Sequence, residues 1–191
     1  METPKFYNPI DETLFESRII HLNGGVNSEM AYRVNRELFA LEKKDAKAPI
    51  VIMVNSPGGE ITSGFSIFDT VRFIEPEVIT VVAGLAASMG SIISLAPRKK
   101  ENRMAFPNSK FLIHQPLIPG GIRGSASELE IHAKDILRTK EKINRLYVEE
   151  TGKSLEEISK ATERDYWMTA QEALEFNLIK KVVQSRSDLK I

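Results

Sequence analysis

Two uncharged, strand-length runs leave this sequence of 191 residues few folds to choose from: Ile50-Val51-Ile52-Met53-Val54 and Val78-Ile79-Thr80-Val81-Val82-Ala83. The first does not alternate polar with apolar residues, the pattern of a strand covered on both faces, as in a parallel sheet wrapped by helices. Segments with helical spacing separate the strands. Ser28 to Lys44 places Met30, Val34, Leu38 and Leu41 on one stripe, and Ile61 to Ile74 reads as a second helix. Ahead of them Arg18 to Leu22 is short and extended, followed by the turn Asn23-Gly24-Gly25; Asn55-Ser56-Pro57-Gly58-Gly59 ends the Ile50 strand. The expected class is α/β, with a largely parallel sheet built from repeated strand–turn–helix units.

Beyond Pro97 the pattern changes. Met104-Ala105-Phe106 and Phe111-Leu112-Ile113 are short strands, and Pro116 to Gly124 is a loop or irregular strand. A long helix begins after Ser125, which forms a capping box with Glu128, carries Leu129, Ala133, Ile136, Ile143 and Tyr147 as its apolar stripe, and stops at Gly152. At 1.5 Å per residue it is about 39 Å long, more than the ~30 Å of a small domain. Such a helix is expected to project past its own core and to need a partner, so oligomerisation is expected; a helix lying across the sheet satisfies the same periodicity. Ser154 to Lys160 is a short capped helix, Thr169 and Glu172 cap another, and Ile179 to Val183 is a final strand.

Composition excludes several classes. With 42% hydrophobic and 27% charged residues the chain is an ordinary globular one, of a size for a single core. Lys plus Arg equals Asp plus Glu, 26 each, and no basic run exceeds Arg98-Lys99-Lys100, so nothing points to nucleic acid. Cysteine is absent, which removes disulfides, thiolate metal sites and a cysteine nucleophile. No metal-ligand cluster is visible, and Met1 to Arg18 is not a secretory signal. Val78 to Pro97 is uncharged and long enough to span a bilayer, yet Thr80, Gly84, Ser88, Gly90, Ser91 and Ser94 dilute it and its first half prefers strand. A buried strand followed by a buried helix is the expected structure, with no membrane association.

Chemistry concentrates at Ser88, in Gly84-Leu85-Ala86-Ala87-Ser88-Met89-Gly90. Small residues on both sides let the chain turn sharply from strand into helix and hold Oγ out, and a helix starting there aims backbone N–H groups at a developing oxyanion. The match to the strand-to-helix serine elbow is loose, since Ala86 stands at the first glycine position. A serine needs a base, and the chain has three histidines: His21 in the first strand, His132 on the long helix, and His114 at the end of the Phe111 strand. Strand ends face a shared crevice, which favours His114. The Gly58-Gly59 pair lets backbone N–H groups approach a ligand and could complete an oxyanion hole with the Met89 N–H. Six aspartates are available as a third member, and nothing local ranks them.

Three blocks in succession, Asn55-Ser56-Pro57-Gly58-Gly59, Gly84 to Gly90, and Pro107-Asn108-Ser109-Lys110-Phe111-Leu112-Ile113-His114-Gln115-Pro116, resemble the signature blocks of the ClpP family, the proteolytic subunits of the ATP-dependent Clp protease. The similarity runs from about Arg18 to Val183. It implies Ser88 as nucleophile and His114 as general base, and it selects Asp165, in Thr162-Glu163-Arg164-Asp165-Tyr166-Trp167-Met168, as the carboxylate that orients the imidazole. It further implies oxyanion donors at Gly59 and Met89, and an extended substrate bound along Gly58, Ile61 and Leu117. The implied fold is crotonase-like, a single domain over 18–191 after an axial segment at 1–17, with a handle at about 115–151 that interleaves two stacked heptameric rings. No metal or organic cofactor is implied; ATP is used by a separate AAA+ unfoldase, the substrate is unfolded polypeptide, and the compartment is the cytoplasm.

Three departures from the family pattern accompany the resemblance. The chain begins closer to the first strand than is typical, which bears on the axial loops. The loop Leu117 to Gly124 is longer than usual, and Val51 and Met53 stand where the family commonly has tyrosines in the groove that docks the ATPase. Two other readings share the fold: a weakly active or structural subunit that works only in a mixed ring with a paralogue, and an acyl-CoA enzyme of the crotonase type. The serine–histidine pair disfavours the second.

Overall fold

The computed structural model describes residues 9–118, 120, 121 and 123–189, so residues 1–8 of the axial segment, and Pro119 and Ile122 of the Leu117–Gly124 loop, lie outside the described residues. The chain forms two compact units. One runs to Phe111 and resumes at Met168, and the other is Leu112–Trp167.

The first unit is built on five parallel strands in the order β1-β2-β3-β4-β7: β1 (Ile19–Asn23), β2 (Ile50–Ser56), β3 (Val78–Ala87), β4 (Arg103–Ala105) and β7 (Lys181–Val182). Between them run α1 (Pro9–Glu16), before the sheet, then α2 (Ser28–Lys44), α3 (Ile61–Phe73) and α4 (Met89–Ser94). Parallel neighbours need long crossovers, and α2 and α3 are those crossovers. The predicted stripe of α2 is the buried one, Met30, Val34, Leu38 and Leu41. Asn27, rather than a residue inside the predicted span, caps the helix by accepting from the Met30 N–H at 2.9 Å.

Side chains of β2 and β3 divide between two faces at a period of two. Ile50, Ile52 and Val54 are fully buried. On β3, Thr80 belongs to the face that meets α4, where its hydroxyl donates to the Ser94 carbonyl at 2.7 Å. On the other face Val51, Ile79 and Val81 cluster with Met104, Val183 and Leu189, and Ile19 and Met53 pack against them. That second cover is incomplete: a groove of about 340 Å³ stays open, lined by Ile19, Val51, Met53 and Phe106, with His21 and Arg186 among its other walls.

The uncharged stretch from Val78 folds as a buried strand and a buried helix, and among the described residues no helix is long and apolar enough to cross a membrane. β3 is longer than the predicted strand, continuing through Gly84 to Ala87. Gly84 permits this because its φ is +127° and a side chain there would stand 2.8 Å from Asn55 Oδ1. The pairing of β2 with β3 slips between Val54 and Ser56 and resumes at Ser56 with Ala86.

The second unit holds α5 (Ala126–Thr151) and α6 (Leu155–Thr162). Both open with a capping box, Ser125 with Glu128 and Ser154 with Glu157, and α5 ends at Gly152 in the left-handed conformation, as its sequence signals predict. Ile143, Asn144 and Tyr147 of α5 are buried, and Ile158 and Thr162 are the buried residues of α6. β5 (Lys110–Ile113) and β6 (Tyr166–Thr169) carry the chain from one unit to the other, and α7 (Ala170–Glu175) follows β6.

Candidate active site

Ser88 stands alone between the last residue of β3 and the first of α4, with φ +54° and ψ −121°. Side chains with a Cβ rarely adopt such a backbone, and it costs on the order of 1–3 kcal/mol unless the surroundings impose it. Here they do. The Ser88 carbonyl accepts from the Ser91 amide at 3.0 Å, the Ser91 hydroxyl at 2.7 Å and the Ile92 amide at 3.3 Å, which pins the first turn of α4 to the serine. The serine itself is half-buried.

Gly58 and Gly59 close the same corner. A Cβ on Gly58 would lie 2.7 Å from the Ala87 carbonyl oxygen, 2.7 Å from Ser88 Cβ and 2.9 Å from the Met89 nitrogen, so only glycine allows the Gly58 backbone this close to the serine. A Cβ on Gly59 would collide with the Val26 carbonyl, and its φ is +149°. The strand-end loop is fixed by the Val26 amide donating to the Gly58 carbonyl and the Glu60 amide to the Val26 carbonyl, each 2.8 Å. Buried Ser56 adds two bonds: its hydroxyl donates to the Gly24 carbonyl at 2.7 Å and accepts from the Gly58 amide at 3.1 Å. Among the described residues neither the Gly59 nor the Met89 amide donates a hydrogen bond. The Met89 side chain is buried against Gly64 of α3, and Ile61 is the first residue of that helix, where the amide has no intrahelical acceptor.

His114 and Asp165 belong to the second unit, and there the structure brings them together: His114 Nδ1 and Asp165 Oδ1 are 3.1 Å apart. An ionised carboxylate only accepts, so Nδ1 carries the proton of this bond and Nε2 is left as the basic nitrogen. The segments that carry the pair are stitched to each other. The Gln115 amide donates to the Thr162 carbonyl at 2.6 Å, and Gln115 Nε2 donates to the Glu163 carbonyl at 2.9 Å. Lys140 of α5 pairs with Glu163 at 3.0 Å and holds that carboxyl below the usual carboxylate range. Of the other histidines, His21 lines the groove on the sheet of the first unit and His132 is exposed on α5. Leu117 is exposed in the loop after His114.

The candidate residues thus fall into two groups, Ser88 with Gly58, Gly59, Met89 and Ile61 in the first unit, and His114 with Asp165 and Leu117 in the second. Asn144 and Thr162 were not legible in the sequence, where each is a polar residue beside an apolar helical stripe. Their buried hydrogen bond, 3.0 Å from Thr162 Oγ1 to Asn144 Oδ1, depends on how α5 meets α6.

Comparison with known proteins gives the family. The family model described as Clp protease matches residues 3–186. A relative named ATP-dependent Clp protease proteolytic subunit 1, from Protochlamydia amoebophila (strain UWE25), is 45% identical over 185 residues, covering 97% of this chain and 89% of the relative. With the family matched over nearly the whole length, and a glycine-braced serine where its signature block predicts one, the chain belongs to the Clp protease family.

Proposed function

We propose that the chain is the proteolytic subunit of an ATP-dependent protease, a serine endopeptidase acting on unfolded polypeptide through Ser88, His114 and Asp165. The observation that carries this reading is the main chain at Ser88, a non-glycine residue at φ +54° between strand and helix with Gly58 closed against it. A packing serine has no need of that conformation; a nucleophile whose Oγ must stand clear does.

In the proposed reaction His114 Nε2 removes the Ser88 Oγ proton as Oγ adds to the scissile carbonyl carbon. The Gly59 and Met89 amides donate to the resulting oxyanion, consistent with their having no acceptor among the described residues. The imidazolium then gives its proton to the leaving amine as the C–N bond breaks, and water repeats the sequence to release the acyl group. Asp165 keeps the imidazole in the tautomer this requires. Substrate main chain runs beside Gly58, Ile61 and Leu117. Cleavage needs no metal or organic cofactor, and ATP is spent by a separate AAA+ unfoldase.

The working particle in this reading is two stacked heptameric rings in the cytoplasm. The family's unfoldase-docking groove corresponds to the apolar groove beside Val51 and Met53, whose side chains replace the family's usual tyrosines, so docking there is weaker or redirected.

The test is a fluorophosphonate probe together with peptide hydrolysis. The probe is expected to label Ser88, and Ser88→Ala to abolish hydrolysis while leaving the particle mass unchanged. Undiminished turnover by Ser88→Ala, or no labelling of the assembled particle, would overturn the assignment.

A further inference from the structure

We infer that Thr162 and Asn144 form a buried positioning relay that holds the main chain on both sides of the His114–Asp165 contact, a role that rests on the serine-peptidase reading above. The contact needs such support. The His114 side chain is 16% exposed but that of Asp165 is 63% exposed, and a pair whose carboxylate stands in water gains little by itself. If the 3.1 Å alignment persists, it is because the backbones carrying the two side chains are fixed.

The fixing runs through the core of the second unit. Thr162, the last residue of α6, is fully buried and Asn144 of α5 is 4% exposed. The Thr162 hydroxyl lies 3.0 Å from Asn144 Oδ1 and 2.9 Å from the Ile158 carbonyl, and Asn144 Nδ2 reaches Ser159 Oγ at 3.4 Å. This polar contact replaces what could have been apolar packing, at a place where a buried polar group left without a partner costs about 1–3 kcal/mol. What it secures is the direction of the Thr162 carbonyl, one of the C-terminal carbonyls of α6 that the helix leaves unsatisfied. That carbonyl takes the Gln115 amide at 2.6 Å, directly after His114, and Asp165 follows three residues later in the same turn. One side chain therefore fixes the peptide next to the base and the start of the segment that bears its carboxylate.

Thr162→Val keeps the shape and removes the hydroxyl, and Thr162→Ser keeps the hydroxyl. Two readouts on the assembled full-length protein separate positioning from packing. The first is fluorophosphonate labelling of Ser88, resolved into a maximal rate constant and an apparent affinity. The second is solvent exchange of the His114 Nδ1 proton, followed by NMR with labelled histidine in a chain that has only three. In Thr162→Val the maximal rate is expected to fall about tenfold with affinity unchanged, the size of effect a small misplacement produces. The Nδ1 proton should exchange correspondingly faster, and Thr162→Ser should restore both. A folded Thr162→Val with unaltered proton exchange overturns the relay. If that variant fails to assemble, Asn144→Ala, which removes the acceptor of the Thr162 hydroxyl and leaves Thr162 in place, carries the test: faster exchange supports the relay and unaltered exchange overturns it. A wild-type protein that is not labelled at Ser88, yet shows exchange governed by Thr162, would refute the nucleophile and leave the relay standing.

Discussion

At Ser88 the chain holds an unfavourable backbone conformation in a part of the molecule where nearly every neighbour is small. The two facts belong together, because Gly58 lies within a Cβ's reach of Ala87, Ser88 and Met89. Gly58→Ala brings two penalties, a φ of +91° and contacts of 2.7 Å, and the nearest atom that can move is the serine itself. We expect this variant to lose about 1–3 kcal/mol of stability in denaturant titration and to be labelled by a fluorophosphonate at least tenfold more slowly; unchanged labelling would show that the glycine is not bracing the serine. Asp165→Asn tests the other end. Its exposure means that the fold should survive, while peptide hydrolysis should drop by up to about 10⁴-fold because an amide can favour the wrong imidazole tautomer. Activity within a few-fold of wild type would point to another carboxylate. Ser88 and His114 could be singled out from residue type and place along the chain. Asp165 could not, since a partner across 51 residues is a tertiary fact, and only resemblance separated it from five other aspartates.

Among the elements, helix starts were the most legible features, because a capping box is written in four consecutive residues. Ser125 with Glu128, Ser154 with Glu157 and Thr169 with Glu172 all form reciprocal bonds. In each, the N-cap amide and hydroxyl donate to the carboxylate and hold its pKa below the usual 4.5. A carboxyl depressed in the folded state contributes stability that is present above the unfolded value and disappears as pH falls through the folded one. Ser154→Ala should therefore destabilise the protein by about 1 kcal/mol at neutral pH, with the difference from wild type shrinking as pH falls below 4.5 and through the lowered Glu157 value. Thermal unfolding at pH 7 and pH 3 checks this, and a difference that does not shrink would mean that the hydroxyl alone makes the cap. Strand ends were less legible. β3 outran its prediction because Gly84 and the small residues after it read as a turn, whereas the Ser56–Ala86 pairing keeps them in the sheet. α1 went unread because eight residues, none of them buried, leave only Ile10 and Leu14 at helical spacing, too few to establish a period.

For the molecule as a whole, what matters is which apolar surface the described chain leaves uncovered. The second half of α5 is buried through Ile143 and Tyr147, but in its first half Leu129 is 41% exposed, Ile131 64% and Leu137 63%. The sequence showed that a stripe of this length needed covering; it did not show that the need is two-sided. At 3.6 residues per turn Ile131 lies about 200° around the axis from Leu129, on the side opposite the stripe. A helix apolar on opposite sides is covered on both when it is stable in water, so more than one neighbouring surface must meet this stretch. The interleaving of handles that the family resemblance implies would supply that. In the proposed particle Ile131→Glu would place a charge in a subunit contact without touching the buried half of the helix. The expected result is a folded chain with unchanged helical content whose particle mass, by light scattering on a sizing column, falls below that of the wild-type assembly. Retention of the full mass would mean that the outer side of α5 faces solvent in the particle, and that the stripe alone makes the contact.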